Sequence, residues 1–143
     1  MVTSPSTQIP NYPVLGGFDE QGRDLFVGRA FNNNNLLPCY VTSGSSCVFS
    51  DIGREGGNYT FEFLVGGVAF NNGPRYSWLR NHRGEIPPAA VCLGQTKDGD
   101  PLFVGRVAFE NGLYIGKVIP NQGLYIGLKG TEMFFPDYEL LVQ

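Results

Sequence analysis

A shift of 77 residues lays Ile9–Val65 over Ile86–Val142 without a gap, with 18 identities in 57 aligned positions. Leu25-Phe26-Val27-Gly28-Arg29 falls on Leu102-Phe103-Val104-Gly105-Arg106, and Glu62-Phe63-Leu64-Val65 on Glu139-Leu140-Leu141-Val142. Unrelated segments rarely hold one offset so long. The chain is a tandem duplication, so its fold and any site must be read as two related units. The first unit spans 1–65, a connecting segment with a turn 66–85, and the second unit 86–143. A unit of this size buries too little surface to be stable alone, so the copies are expected to share a core or to dock with little freedom.

Twenty glycines, ten prolines and 13% aromatic residues leave few good helix runs and favour an all-β chain with many turns. In each copy the pattern predicts four strands. They are Leu25–Phe31, Leu36–Val41, Cys47–Phe49 and Tyr59–Val65, then Leu102–Ala108, Leu113–Ile119, Leu124–Leu128 and Tyr138–Val142. The intervening Asn32–Asn35, Glu110-Asn111-Gly112, Asp98-Gly99 and Asn121-Gln122-Gly123 supply the residues that tolerate positive φ in turns. Asn71-Asn72-Gly73-Pro74 marks a further turn between the copies. Asn58-Tyr59-Thr60 has the form of a glycosylation sequon and is expected simply to lead into a strand. Trp78, just ahead of the second unit, is expected to bury its ring at the seam between the copies, with sugar stacking as the rival role.

A net charge of -3 with scattered basic residues gives no footprint for nucleic acid. No apolar run approaches spanning length, so no membrane insertion is expected. The N-terminus has neither a basic start nor an apolar stretch, which predicts a cytoplasmic protein, any release being unconventional. Cys39, Cys47 and Cys92 fit a reducing compartment. Their repeat equivalents are Gly116, Leu124 and Leu15, so the expected role is that of small buried hydrophobes rather than a disulfide or reactive thiols.

Chemistry-bearing patterns are sparse. His82 is the one histidine, in a polar stretch where a solvated role is expected. No Ser, Cys or Thr stands in a context suggesting a base and an orienting group. No set of ligands has metal-binding spacing, and Asp98-Gly99-Asp100 lacks the later ligands of a calcium loop. The expectation is a non-enzyme with no cofactor and no metal. Arg29 and Arg106, and Glu62 and Glu139, recur in otherwise apolar strands. Burying such charges singly is costly, so an Arg–Glu pair within each unit is expected. Glu55 and Glu132 follow Gly53 and Gly130 as loop carboxylates, structural or ligand-facing.

The second copy resembles a DM9 repeat in Trp78, Gly84-Glu85-Ile86-Pro87, Gly94, Gly99-Asp100-Pro101, Leu102–Arg106, Gly116-Lys117-Val118 and Tyr138–Leu141. Ile9-Pro10, Gly17-Phe18-Asp19, Leu25–Arg29, Leu36 and Phe61-Glu62 resemble a second one, and together they cover nearly the whole chain. The resemblance implies two antiparallel β units related by pseudo-twofold symmetry, and leaves open whether they interlock around one core. It further implies a homodimer and a lectin that recognises mannose or mannose-bearing glycans on microbial surfaces in innate immunity.

Sugar-binding members of the family hold mannose with an Asp before the Leu-Phe strand and a Lys at the start of the next. A carboxylate accepts from vicinal hydroxyls and an ammonium donates to them, both charge-assisted. The Asp position is Asp19 in the first copy and Thr96 in the second; the Lys position is Tyr40 and Lys117. Neither copy has both. Three accounts follow. Asp19 and Lys117 form one composite site across interlocked copies, or each site lies within its copy, with Lys97 or Asp98 compensating for Thr96 and Tyr40 stacking on a sugar. In the third, sugar binding is lost and the scaffold serves as an intracellular stress- or immune-response interaction protein.

Overall fold

The computed structural model describes residues 2–3, 8–66 and 75–143. The expected turn at Asn71-Asn72-Gly73-Pro74 lies outside the described residues. The first copy forms β1 (Val2–Thr3), β2 (Leu15–Phe18), β3 (Asp24–Asn32), β4 (Asn35–Val41), β5 (Cys47–Asp51), β6 (Arg54–Asn58) and β7 (Glu62–Phe63). The second forms β8 (Ser77–His82), β9 (Cys92–Gln95), β10 (Pro101–Phe109), β11 (Gly112–Ile119), β12 (Gly123–Leu128), β13 (Thr131–Phe135) and β14 (Asp137–Val142). The chain is all-β, and its ladders are antiparallel and continuous with one another.

Equivalent ladders have equivalent registers. Val27 faces Tyr40 across β3 and β4, and Val104 faces Lys117 across β10 and β11. Asn33 and Asn34 take φ of 50° and 65°, Glu110 and Asn111 44° and 64°, so both hairpins turn through paired left-handed residues. The asparagine tract is a turn, as its place in the repeat predicts.

The copies also exchange strand contacts. Phe18 at the end of β2 pairs with Leu113 of β11, and Gln95 at the end of β9 pairs with Leu36 of β4. Both seams need glycine for a steric reason. A Cβ on Gly17 would stand 1.9 Å from the Leu113 carbonyl oxygen, and one on Gly94 would stand 2.1 Å from that of Leu36. The core follows the exchange. Leu25, Val27 and Tyr40 pack with Val104, Ile115 and Leu140 in one buried cluster, and Leu102 of the second copy joins Leu37, Phe49 and Phe63 in the other.

Arg29 Nε pairs with Glu62 at 2.9 Å and Arg106 Nε with Glu139 at 2.9 Å, the expected pair within each copy. Each arginine then reaches across the seam, Arg29 to the Leu93 carbonyl oxygen at 3.2 Å and Arg106 to that of Gly16 at 3.1 Å. Trp78 lies under the Arg106 guanidinium, 4.3 Å from ring centroid to Cζ, and borders a hollow with Tyr12 and Pro13 of the first copy. The ring does mark the seam.

Several expectations change. The connecting segment 66–85 contains a strand, β8, which extends the sheet along β14 from Ser77↔Val142 to His82↔Asp137. The predicted strand Tyr59–Val65 contracts to Glu62–Phe63, because Asn58 Oδ1 accepts the Thr60 N–H at 3.0 Å and bends the chain there. Strands β1, β2, β6, β9 and β13 are additional. Cys39 and Cys47 form a disulfide across the β4–β5 hairpin, and Cys92 is free and exposed, correcting the expectation of three buried thiols. The first two are buried as expected.

Candidate functional site

Asp19 leaves β2 at a tight turn and closes it with its own carboxylate. Oδ1 accepts the N–H groups of Gln21 at 3.0 Å and Arg23 at 2.9 Å, and Oδ2 accepts Arg23 Nε at 2.7 Å. Burial pushes the carboxyl pKa up, but the Arg23 amide and guanidinium and the Gln21 amide outweigh it and hold Asp19 below the usual carboxylate range. Thr96 occupies the same turn in the second copy. Its Oγ1 accepts the Asp100 N–H at 3.1 Å, as Asp19 Oδ1 accepts that of Arg23. A hydroxyl can replace a carboxylate here because the turn requires only a side-chain acceptor. Asp98, at the tip of that turn, is exposed.

Tyr40 stands in β4 with its ring buried and 5.7 Å from that of Tyr114 in β11. Its hydroxyl donates to the Gly127 carbonyl oxygen at 2.7 Å. Burial pushes this phenol far above its ordinary range, and the nearby Glu55 and Asp19 charges add to the effect. Tyr114 is raised for the same leading reason, with Glu20 and Asp19 contributing. Lys129 also bears on Tyr114, and it pairs with Glu110. The Phe18–Leu113 pairing sets the Asp19 turn beside the β10–β11 hairpin, so Asp19 and Glu20, the Tyr114 ring against Tyr40, and the Lys129–Glu110 pair share one neighbourhood.

Lys117 is directed elsewhere. Its side chain is buried in β11, and Nζ donates to the Ser50 carbonyl oxygen at 2.9 Å and pairs with Glu132 Oε2 at 3.1 Å. The Tyr125 ring centroid lies 5.8 Å from the ammonium. Burial would raise the Glu132 carboxyl, but the Ser50 hydroxyl, the Lys117 charge and the Gly53 amide hold it low. The Ser50 hydroxyl bears on that carboxylate without forming a hydrogen bond of ordinary geometry.

Among the described residues, then, Asp19 and Tyr40 share one cluster, while no ion pair joins Asp19 to Lys117. Thr96 and Asp98 belong to a separate turn. No sequence pattern singles out Glu20, Tyr114, Lys129 or Ser50. Lys129 stands at φ 55° beside Gly130, in a turn whose neighbours across the chain no local pattern reveals. No group of three or more His, Cys, Asp or Glu among the described residues is arranged to hold a metal ion.

What this cluster offers chemically is acceptance at the Asp19 and Glu20 carboxylates and donation from the Lys129 ammonium, which Glu110 already pairs, next to the Tyr40 and Tyr114 rings. A family model described as DM9 repeat matches residues 19–135. A comparison with curated proteins finds no match.

Proposed function

This chain belongs to the DM9-repeat family, and on that premise we propose that it is a non-enzymatic carbohydrate-binding protein for mannose or mannose-bearing glycans of microbial surfaces. The observation that carries the reading is geometric: the Phe18–Leu113 pairing brings Asp19 and Glu20 to the β10–β11 hairpin, where Tyr114 lies against Tyr40 and Glu110 pairs with Lys129. Asp19 Oδ2, which accepts only from Arg23, and Glu20 accept hydrogen bonds from vicinal hydroxyls, and Lys129, with hydrogens beyond its pair with Glu110, donates to one, which restores the carboxylate–ammonium pairing that Tyr40 interrupts within the first copy. The ammonium comes from the other copy, as the composite account expects, but it is Lys129 rather than Lys117.

A site with so few polar contacts binds weakly, since desolvation and ordering offset most of the gain. Assembly as a homodimer supplies avidity. Action at a microbial surface would place the protein in oxidising surroundings, which the Cys39–Cys47 bond suits.

The test is a glycan array with wild type, Asp19→Ala and Lys129→Ala. Mannose-bearing glycans should bind wild type, and each substitution should weaken them about tenfold, the usual effect of losing one charge-assisted hydrogen bond. The second reading, an interaction scaffold without sugar binding, draws on the commitment of Lys117 to Glu132 and Ser50. It predicts an empty array and a protein partner recovered by pull-down.

A further inference from the structure

Strand β10 runs beside β14 only at Gly105 and Arg106, then continues with β11 to its hairpin turn while β14 diverges with β8. The fork opens a groove of about 630 Å³. Residues directly opposite one another in a ladder share a face. Glu139 lies opposite Arg106 on one side and Arg80 on the other, and Asp137 lies opposite His82. One wall of the groove therefore sets Arg106, Arg80 and the His82 imidazole against the Glu139 and Asp137 carboxylates. The other wall is Ala108 and Leu113, directly opposite one another in the β10–β11 ladder.

Some of these groups are already committed. Arg106 is engaged by Glu139 and the Gly16 carbonyl, and its guanidinium covers Trp78. Asn81 Nδ2 donates to Tyr138 Oη, which accepts the Gly84 N–H as well. The Arg80 guanidinium and the Asp137 carboxylate, both exposed, have no ion-pair or hydrogen-bond partner among the described residues. Their repeat equivalents are Thr3 and Thr60, so this chemistry belongs to the second copy alone.

We propose that this fork is a second carbohydrate site, taking a neutral hexopyranose unit, and the proposal rests on the carbohydrate reading above. Arg80 donates to ring hydroxyls, Asp137 and the second oxygen of Glu139 accept from them, and the C–H face of the sugar lies along Ala108 and Leu113, which lie opposite one another in the β10–β11 ladder. The two arginines and two carboxylates balance, so the wall matches hydroxyls rather than a net charge. Leu113 lines the groove, whereas Tyr114, the next residue along β11, belongs to the Asp19 cluster. Successive strand residues point to opposite faces. One chain thus presents two sugar sites on opposite sides of a strand.

The experiment compares wild type, Arg80→Ala/Asp137→Asn and Asp19→Ala/Lys129→Ala on an array of neutral, sialylated and uronic-acid glycans, with thermal unfolding of each variant as the check on folding. The expected result is that the groove variant loses about tenfold or more of its affinity for a subset of neutral glycans that the Asp19/Lys129 variant retains. Arg80 and Asp137 are exposed, so the groove variant should fold; Asp137→Asn alone provides a milder second probe. Unchanged binding in the groove variant overturns the second site and leaves the carbohydrate reading standing. Groove-dependent binding restricted to acidic glycans overturns the neutral ligand. A wild-type protein that binds no glycan removes both readings.

Discussion

Tyr40 donates its phenol hydrogen to the carbonyl oxygen of Gly127, 2.7 Å away in the other copy. The counterpart 77 residues on is Lys117, whose ammonium donates to the Ser50 carbonyl oxygen at 2.9 Å. Position 40/117 therefore holds the copies together with whichever donor it carries. Tyr40→Phe keeps the ring but leaves a buried carbonyl without its partner, and should cost about 1–3 kcal/mol. Urea unfolding should show a lower midpoint with an unchanged slope; an unchanged midpoint would refute the tether.

Lys117→Met should be the more damaging change. It leaves Glu132 as an uncompensated, largely buried charge, a loss of roughly 3–5 kcal/mol. Adding Glu132→Leu removes the stranded carboxylate and should return most of that stability. A double-mutant cycle by chemical denaturation measures the coupling, and additive single effects would contradict the pairing.

The acid response follows from the same pair. Glu132 titrates below its ordinary range in the folded state, so its contribution is complete above the unfolded pKa of about 4.3. It is lost as pH falls through the lower folded value. Asp19 has the same sign. Wild type should lose stability steeply below about pH 4, and Lys117→Met/Glu132→Leu should lose less over that interval. Parallel profiles of unfolding midpoint against pH would exclude this origin.

The disulfide gives a redox-dependent prediction. Cys39 and Cys47 close a loop with a sequence separation of 8, and such a loop restricts the unfolded chain by roughly 2–3 kcal/mol. Reductant, or Cys39→Ala/Cys47→Ala, should lower the melting temperature accordingly. Under native non-reducing conditions a thiol reagent should label Cys92 alone.

Local chemistry made the hairpins legible. Asn33-Asn34 and Glu110-Asn111 announce their turns, and the repeat aligns the strands on either side. The Arg29–Glu62 and Arg106–Glu139 pairs were legible too, because a charge recurring inside an apolar strand demands a partner. What crosses the seam was not. Leu15–Phe18 is a four-residue strand with two glycines, and nothing in it names Leu113 as its neighbour. The same limit hides Lys129 behind a turn and Ser50 behind 67 residues of chain from Lys117. Cys39 and Cys47 misled for a different reason. Their equivalents Gly116 and Leu124 show that the hairpin closes without sulfur, so the repeat gave no warning of a bond.

The reciprocal seam also implies an order of events in the history of the chain. A single-copy ancestor could have made the Phe18–Leu113 and Leu36–Gln95 pairings only with a second molecule of itself. Duplication then turned an association that depends on concentration into one that depends only on a linker. With both halves permanently together, each was released from having to match itself. Tyr40 could diverge from Lys117, and Thr96 from Asp19, while the contacts between the halves endured.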